Sequence, residues 1–229
     1  GDVGQPSKAV KRIEGPDGTP TWRMRQWAYD NPFGNLTGTT DPLGREWKYE
    51  YHPNGIDLAA IRVLEGGSFQ TVVSFSNYAN HQPQTITEAS GTVTSIQYNA
   101  VGQPTLVTVA KGAETESTRY TYDSDLDGVA DPTGYLVRVE QTDPNNAAQF
   151  VTQVEFSYLT DAQGELVTPG FRTVTDAEGY PLPFDYDNFD RVTLITHPDG
   201  TFEQFDYEDL DLAAFRDRNG RWTRYRYDA

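Results

Sequence analysis

The chain repeats one pattern, in which a tyrosine ends one strand-like segment and a polar turn leads into the next. The clearest copy, Tyr186 to Tyr207, contains the β-branched segment Val192–Thr196 and the triplet Pro198-Asp199-Gly200. Proline presets φ, aspartate bonds its local backbone and glycine adopts the left-handed conformation, so this triplet predicts a tight turn. The copy closes on Phe205-Asp206-Tyr207. Because the unit ends with the same residue types with which it begins, the sequence predicts an array of hairpins.

Aromatic residues mark the start of each repeat along the chain. The markers are Tyr29, Tyr51, Phe75, Tyr98, Tyr122, Tyr158, Tyr186, Tyr207 and Tyr227. Neighbouring markers lie 20 to 36 residues apart. Two strands with their turns need roughly 20 residues. The shortest spacing therefore predicts one hairpin per repeat, and the longer spacings predict insertions in loops.

The strand-like segments alternate with a period of two. Between residues 46 and 51, Trp47, Tyr49 and Tyr51 fall on one face and the charged residues on the other. The chain has 14 tyrosines, 11 phenylalanines and a single methionine, with 20 glycines and 14 prolines throughout. This composition predicts an all-β fold, an antiparallel ribbon of consecutive β-hairpins with one wetter face.

The sequence divides into two parts. Residues 1–26 are predicted to form a leading segment with a turn at Gly15–Gly18 and a strand from Thr21 to Trp27, and residues 27–229 one continuous repeat domain. Unpaired strand edges are expected near residues 21–27 and 221–228, and such edges invite pairing with another chain. Since the net charge of −16 opposes association, we expect a monomer.

The repeats resemble the YD or RHS repeat, whose pattern is Tyr-Asp, then Asp-x-x-Gly, then Tyr-x-Tyr-Asp. Tyr29-Asp30 with Asp41–Arg45 and Tyr49–Tyr51 follows this pattern, as do the copies that begin at Tyr186 and Tyr207. The resemblance covers residues 27–229. It implies that the ribbon is part of a curved shell, as in polymorphic toxins, the C components of insecticidal toxin complexes and teneurin-type adhesion proteins.

The same resemblance implies a function and its partners. The chain would be a structural scaffold segment, a fragment of a secreted or surface bacterial protein that encloses a toxin or presents an adhesive surface. Its partners would be the remaining RHS repeats of the parent chain, and an encapsulated toxin domain or a cell-surface ligand. The chain shows no carboxy-terminal segment that closes such a shell by self-cleavage.

Charge and hydropathy weigh against several other classes of partner. With 34 acidic and 18 basic residues, binding to nucleic acid or to an anionic membrane surface is not expected. Apolar segments fall short of the roughly 20 residues that span a bilayer, so membrane insertion is not expected either. The chain has no cysteine, which excludes disulfides and cysteine-ligated metal.

One segment has the spacing of a calcium loop. Residues 123–131 read Asp-Ser-Asp-Leu-Asp-Gly-Val-Ala-Asp, similar to thrombospondin type 3 repeats and to the first nine positions of an EF-hand. Ca²⁺ takes six to eight oxygen ligands, and alternating aspartates on a chain that bends at glycine supply them. The predicted ligands of a structural Ca²⁺ are the carboxylates of Asp123, Asp125, Asp127 and Asp131 and the carbonyl of Val129. The alternative is an acidic turn without metal.

No catalytic constellation stands out, and the chain is expected not to be an enzyme. His52 and His197 precede Pro-Asn-Gly and Pro-Asp-Gly, where they are interpreted as turn residues, and His81 lies in the Asn80–Pro83 corner. A Gly-x-Ser-x-Gly elbow and a phosphate-binding loop are both missing from the sequence.

Two further residue sets have an ordinary and a functional interpretation. Arg45, Arg191 and Arg221 follow turns and are expected to form a salt bridge or hydrogen bond with an aspartate of a neighbouring repeat. The repeat tyrosines are expected to pack within the sheet. Trp222 falls on the polar face, so the alternative function is a free-standing module that binds glycans or peptides through exposed aromatics.

Overall fold

A computed structural model describes residues 7–14, 20–143, 146–161 and 166–227. Throughout these ranges the regular structure is β-strand, and the strand pairings with a defined register are antiparallel. The predicted all-β ribbon of consecutive hairpins is therefore confirmed. No described segment forms a helix long and apolar enough to cross a membrane. The turn predicted at Gly15–Gly18 lies outside the described residues.

The chain divides into two compact units, Gly1–Gln97 with Val107–Thr115, and Tyr98–Leu106 with Glu116–Ala229. The first eight strands are β1 Lys8–Glu14, β2 Pro20–Ala28, β3 Gly38–Thr40, β4 Glu46–Tyr51, β5 Leu58–Glu65, β6 Ser68–Ala79, β7 Gln82–Glu88 and β8 Val93–Tyr98. Strand β9, Pro104–Lys111, contributes residues to both units. The remaining strands are β10 Glu114–Asp123, β11 Tyr135–Asp143, β12 Asn146–Thr160, β13 Leu166–Asp176, β14 Pro181–Tyr186, β15 Val192–Thr196, β16 Phe202–Glu208, β17 Asp211–Arg216 and β18 Trp222–Arg224.

Each unit is a meander. Strands β1 to β8 pair in sequence order, as do strands β10 to β18. The strand predicted at residues 21–27 is present as β2, but the expectation that it forms an unpaired edge is wrong. Lys8 to Glu14 pair with Gln26 to Pro20, so β2 has a partner on each side. The polar sequence Lys-Ala-Val-Lys-Arg-Ile-Glu gave too weak an apolar alternation to predict β1.

Very little of the chain is buried. Ala60 and Tyr122, each 6% exposed, are the only buried hydrophobic residues in the described part of the chain. The accessible surface is 15440 Å², against about 10,000 Å² expected for a compact protein of this mass. Stability must therefore come from contacts between neighbouring strands, as in other repeat arrays.

The marker tyrosines do more than pack. Each of seven tyrosines donates its hydroxyl to a backbone carbonyl 15 to 22 residues earlier. These pairs are Tyr51–Leu36, Tyr78–Leu58, Tyr122–Pro104, Tyr158–Leu136, Tyr186–Phe171, Tyr207–Val192 and Tyr227–Leu212. In most of these pairs the bond joins the end of a hairpin's second strand to the start of its first strand, as for Tyr207 on β16 and Val192 on β15, and only an aromatic residue with a hydroxyl can make it.

The position predicted for one marker is wrong. Tyr78, not Phe75, makes the repeat bond, because phenylalanine has no hydroxyl to donate. A register shift accompanies several of the tyrosines, for example between Glu50 and Tyr51 and between Asp206 and Tyr207. Such a β-bulge re-aims the side chain next to it. The register shift is therefore a regular part of the repeat structure in these copies.

We expect the contribution of this hydroxyl bond to stability to depend on how deeply the tyrosine is buried. Tyr122→Phe should lower stability by about 1–1.5 kcal/mol, because the Pro104 carbonyl loses its donor in a buried place. Tyr227→Phe removes the same kind of bond where the ring is 57% exposed, and water can replace it. Hydrogen exchange of the strand amides measures both variants. Equal losses at the two sites would contradict this explanation.

Five of the described turns share one hydrogen-bond scheme. In the first turn of this kind, the amides of Leu43 and Arg45 donate to Asp41 Oδ1 at 2.8 and 3.0 Å, and Gly44 donates to the Asp41 carbonyl. The same bonds form around Asn99, Asp176, Asp187 and Asp217.

Two of the three turn arginines singled out from the sequence form an ion pair within their own turn. Arg45 Nε lies 2.6 Å from Asp41 Oδ2, and Arg191 Nη2 lies 2.7 Å from Asp187 Oδ2. For Arg45 the predicted aspartate of a neighbouring repeat is therefore wrong, because the tight turn brings its first and fifth residues together. Arg191 in addition donates Nη1 to the carbonyl of Asp209 in the next repeat at 2.7 Å, so for Arg191 a hydrogen bond to a neighbouring repeat's aspartate is present. At the third site, Arg221 donates its amide to Asp217.

Candidate metal site

The aspartate-rich loop joins β10 to β11 and is closed at its base by the backbone. The amide of Asp131 donates to the Tyr122 carbonyl at 2.7 Å, which forms an isolated bridge between these residues. Tyr122 also pairs with Leu136 across the two strands. The loop is therefore an insertion at the end of an ordinary hairpin, as its sequence predicted.

Three of the predicted ligands lie together. Carboxylate oxygens of Asp123, Asp125 and Asp131 all lie within 4.8 Å of one another, a separation that one cation can bridge. Asp123 is 2% exposed, Asp131 is partly buried and Asp125 is exposed. Asp127 is not a member of this group. Its Oδ1 instead accepts the amide of Val129 at 2.7 Å, and the Val129 carbonyl was the predicted backbone ligand.

The Asp123 carboxylate organises the loop by accepting hydrogen bonds from backbone amides of the loop. Its Oδ1 accepts the amides of Leu126 at 2.6 Å and Asp125 at 3.3 Å, and its Oδ2 accepts the amide of Gly128 at 2.9 Å. A buried carboxylate needs such donors, because an unpaired charge away from water is costly. The loop therefore has a way to hold this side chain whether or not an ion is bound.

Asp131 is held by Ser124. The hydroxyl and the amide of Ser124 both donate to Asp131 Oδ2. These bonds lower the pKa of the Asp131 carboxyl and outweigh the opposite effect of burial. The group therefore stays ionised at neutral pH, and the ionised form is the one that a hard cation such as Ca²⁺ binds.

Two residues of an earlier turn support the loop, and the sequence analysis did not identify them. Gln103 Nε2 donates to the Gly134 carbonyl at 2.8 Å, and Asn99 Nδ2 donates to the Pro132 carbonyl at 2.9 Å. They lie 31 and 33 residues before their partners. The only sequence signal was their place in a turn of the common type, which gives no information about contacts at that distance.

The histidines lie in turns, as predicted. His52 and His197 each accept, at the carbonyl, the amide of the glycine three residues later. His81 follows Asn80 at the β6–β7 turn, and both have positive φ, 48° for Asn80 and 63° for His81. His81 Nδ1 lies 2.7 Å from Oδ1 of the buried Asp57, a contact that holds this turn against the one before β5.

The aromatic candidate is exposed as predicted. Trp222 is 46% exposed on β18. The structure adds a second aromatic surface, where Trp27 and Trp47 pair with Thr39 from either side and flank a groove of about 530 Å³.

Comparison with known proteins locates one repeat directly. The family model for the RHS Repeat matches residues 29–55, which confirms the resemblance over that stretch. No curated protein matches the chain.

Several solved structures are loosely similar. A TcdB2-TccC3-Cdc42 crystal structure has a TM-score of 0.49 at 12% identity, over 87% of this chain and 12% of that one. The Photorhabdus luminescens Tc holotoxin pore with a TccC3 mutation has a TM-score of 0.47 at 15% identity, over 96% and 14%. A porin-like protein from Bacteroides uniformis has a TM-score of 0.40 at 15% identity, over 96% and 94%. The chain thus spans about an eighth of the first two, and scores below 0.5 indicate only loose likeness.

Proposed function

We propose that this chain is a structural segment of an RHS-repeat shell, with no catalytic role, in a secreted or surface bacterial protein. Its parent would enclose a toxin domain or present an adhesive surface to a cell-surface ligand. Residues 29–55 are an RHS repeat. A fold by itself does not specify a reaction, and the exposure of the described strands is the feature that bears on function.

The observation that carries the proposal is the near absence of a core in a fully paired ribbon. Only two hydrophobic residues in the described ranges are buried, although strand follows paired strand in each unit. A globular binding domain or enzyme of this size would bury most of its apolar side chains between layers. A wall of one layer of paired strands needs no core between layers, because its strands are held by the strands beside them, including those of further repeats.

The shell proposal is tested on the gene product that contains this chain, by electron cryo-microscopy. We expect this segment to lie in a continuous wall, with additional strands paired to β1 and to β18. A segment attached through linkers, with both of these strands unpaired, would overturn the proposal. Density inside the wall would identify the parent protein as one that encloses a toxin. An empty wall with an exposed carboxy-terminal region would identify it as an adhesive protein.

A glycan- or peptide-binding module is the second candidate, favoured by the exposed Trp222 and by the groove between Trp27 and Trp47. Aromatic faces with nearby polar groups suit such ligands. A glycan array separates the two functions. Saturable binding that Trp222→Ala or Trp47→Ala abolishes would support the module, and the absence of binding would leave the structural role.

We further propose that Asp123, Asp125 and Asp131 hold one Ca²⁺, with Asp127 and the Val129 carbonyl completing the ligand set. The support is the grouping of three carboxylates within 4.8 Å and the lowered pKa of Asp131. Such an ion would be structural. At millimolar calcium outside cells, even a site with Kd on the order of 10⁻⁴ M would be mostly filled.

Calcium should raise the melting temperature of the unmutated chain. Binding to the folded state alone contributes RT ln(1 + [L]/Kd), about 2.7 kcal/mol at a hundredfold excess over Kd. Asp125→Ala should abolish the calcium-dependent part of the melting temperature. Asp199→Ala is the matched control, because Asp199 is an exposed turn residue that bonds Thr201 and Arg218. Equal melting temperatures in calcium and in chelator for the unmutated chain would reduce the loop to an acidic turn.

A further inference from the structure

Exposed apolar residues recur at the tips of turns along one edge of each unit. In an antiparallel meander every second turn lies on the same edge, so the turns that follow even-numbered strands share an edge. We call it the tyrosine edge, because the repeat tyrosines lie at the ends of those strands. Its exposed apolar tips are Phe33 (63% exposed) and Ile56 (48%) in the first unit, and Val101 (66%), Val129 (65%), Phe189 (70%) and Leu210 (81%) in the second.

The exposure of these tips has a local cause. In most of these turns the apolar residue stands two positions after an Asn or Asp and donates its amide to that side chain. The Phe189 amide, for example, donates to Asp187 Oδ1 at 2.9 Å, and the Val101 amide to Asn99 Oδ1 at 3.1 Å. The backbone therefore holds the side chain outward. Isolated exposed apolar residues are common. Here the same turn geometry exposes an apolar residue in one turn after another, and chance exposure does not explain this regularity.

The last two tips form a defined pair. Arg191, in the same turn as Phe189, donates Nη1 to the Asp209 carbonyl at 2.7 Å, and its guanidinium lies 4.2 Å from the Tyr207 ring centre. This contact ties the β14–β15 turn to the β16–β17 turn, in which Leu210 lies. The tips are therefore held on neighbouring turns two strands apart, a separation of about 9.6 Å.

The charged residues around this pair indicate which kind of partner could bind there. Asp190, Glu208, Asp209 and Asp211 are all exposed beside the two tips. A second copy of the same edge would bring like charges together, and an anionic surface would be repelled. A basic partner that also offers apolar side chains satisfies both features of the surface.

We propose that the Phe189–Leu210 tips and their carboxylates bind a basic amphipathic helix of a partner protein. Seven residues of helix rise about 10.5 Å, which is close to the roughly 9.6 Å expected for turns two strands apart. Each tip would insert between four side chains of the helix, as a knob in a hole. Lysines or arginines beside the apolar stripe would then meet the carboxylates. This proposal does not depend on the shell.

The test uses a fluorescent helical peptide of three heptads with leucine at positions a and d and lysine elsewhere. Its binding to the full chain is followed by anisotropy in about 0.15 M salt, where the Debye length is near 8 Å. A second peptide has alanine in place of every leucine and so keeps the charge. We expect the leucine peptide to bind, and Phe189→Ser with Leu210→Ser to weaken its binding about tenfold or more, as for central contacts of an interface.

Matched variants separate the tips from general acidity. Leu43→Ser with Tyr180→Ser removes two exposed apolar residues, 69% and 57% exposed, from the opposite edges, and should leave binding unchanged. Glu208→Gln with Asp211→Asn should weaken it and reduce its salt dependence. Equal binding of the alanine peptide, or full binding by the Phe189→Ser/Leu210→Ser chain, would overturn the proposal. So would a dimer of the chain in light scattering that only this double variant loses, since the occupant would then be a second copy.

Discussion

Gly134→Ala is expected to disrupt the aspartate-rich loop, with a loss of about 2–4 kcal/mol in local stability. Gly134 has φ +129°, and a Cβ there would lie 2.5 Å from Ser124 Cα and against the Asp123 carbonyl. Both contacts are with backbone, so no side chain can rotate to relieve them. The loop must move away from β10, which separates Asp131 from Asp123. Hydrogen exchange of the Leu126 and Gly128 amides, both bonded to Asp123, reports this directly.

Gly179→Ala is the matched control for this change. Gly179 also has a positive φ, +83°, but a Cβ there meets nothing within 4 Å. Its cost should be only that of an L-residue in the left-handed region, about 1 kcal/mol. If the two alanine variants are equally stable, close approach of Gly134 to β10 is not what shapes the loop.

Asp123→Ala is expected to cost about 3 kcal/mol even in chelator, where no metal contributes. The substitution leaves three amides without their acceptor beside a side chain that is 2% exposed, and an unsatisfied buried donor costs about 1–3 kcal/mol. The expected result is a loop open to protease while the hairpins after Tyr186 remain folded, because repeat arrays are stabilised locally. Limited proteolysis followed by mass spectrometry measures this.

Asp127→Ala gives the comparison within the same loop. Asp127 is exposed and accepts one amide, that of Val129, so water can replace it and the loss should stay below about 1 kcal/mol. Asp123→Asn should fall between the two, since it keeps one acceptor oxygen. A chain that tolerates Asp123→Ala as well as Asp127→Ala would show that the buried carboxylate does not organise the loop.

The calcium loop shows how far residue spacing alone reaches. The alternation of aspartates predicted a group of carboxylates, and Asp123, Asp125 and Asp131 do lie together. Whether Asp127 joins them depends on the path of the backbone after Leu126, which has φ +59°. Nothing in the spacing shows that. The calcium ion itself stays a prediction.

The tyrosines show the opposite case, in which the residue type was noticed and its role was not. Alternation identified them as sheet residues, and their spacing identified the repeat. Spacing alone gives no sign of the hydroxyl bond to an earlier carbonyl, so it predicts Phe75 as the marker where Tyr78 makes the bond. Strand β1 does not stand out in the sequence because four of its seven residues are charged.

The alternation of strands and turns, the all-β class and the place of the aspartate-rich insertion can all be predicted from residue order. Each of these follows from chemistry within about five neighbouring residues, such as proline φ, Asx bonds and glycine at positive φ. Residue order does not show which carbonyl each tyrosine reaches, that Gln103 supports Gly134, or that Arg45 pairs within its own turn, and these contacts are known from the folded chain. The first two depend on strand register and bulges, which bring together residues 15 or more positions apart, and the third on how tightly a turn closes.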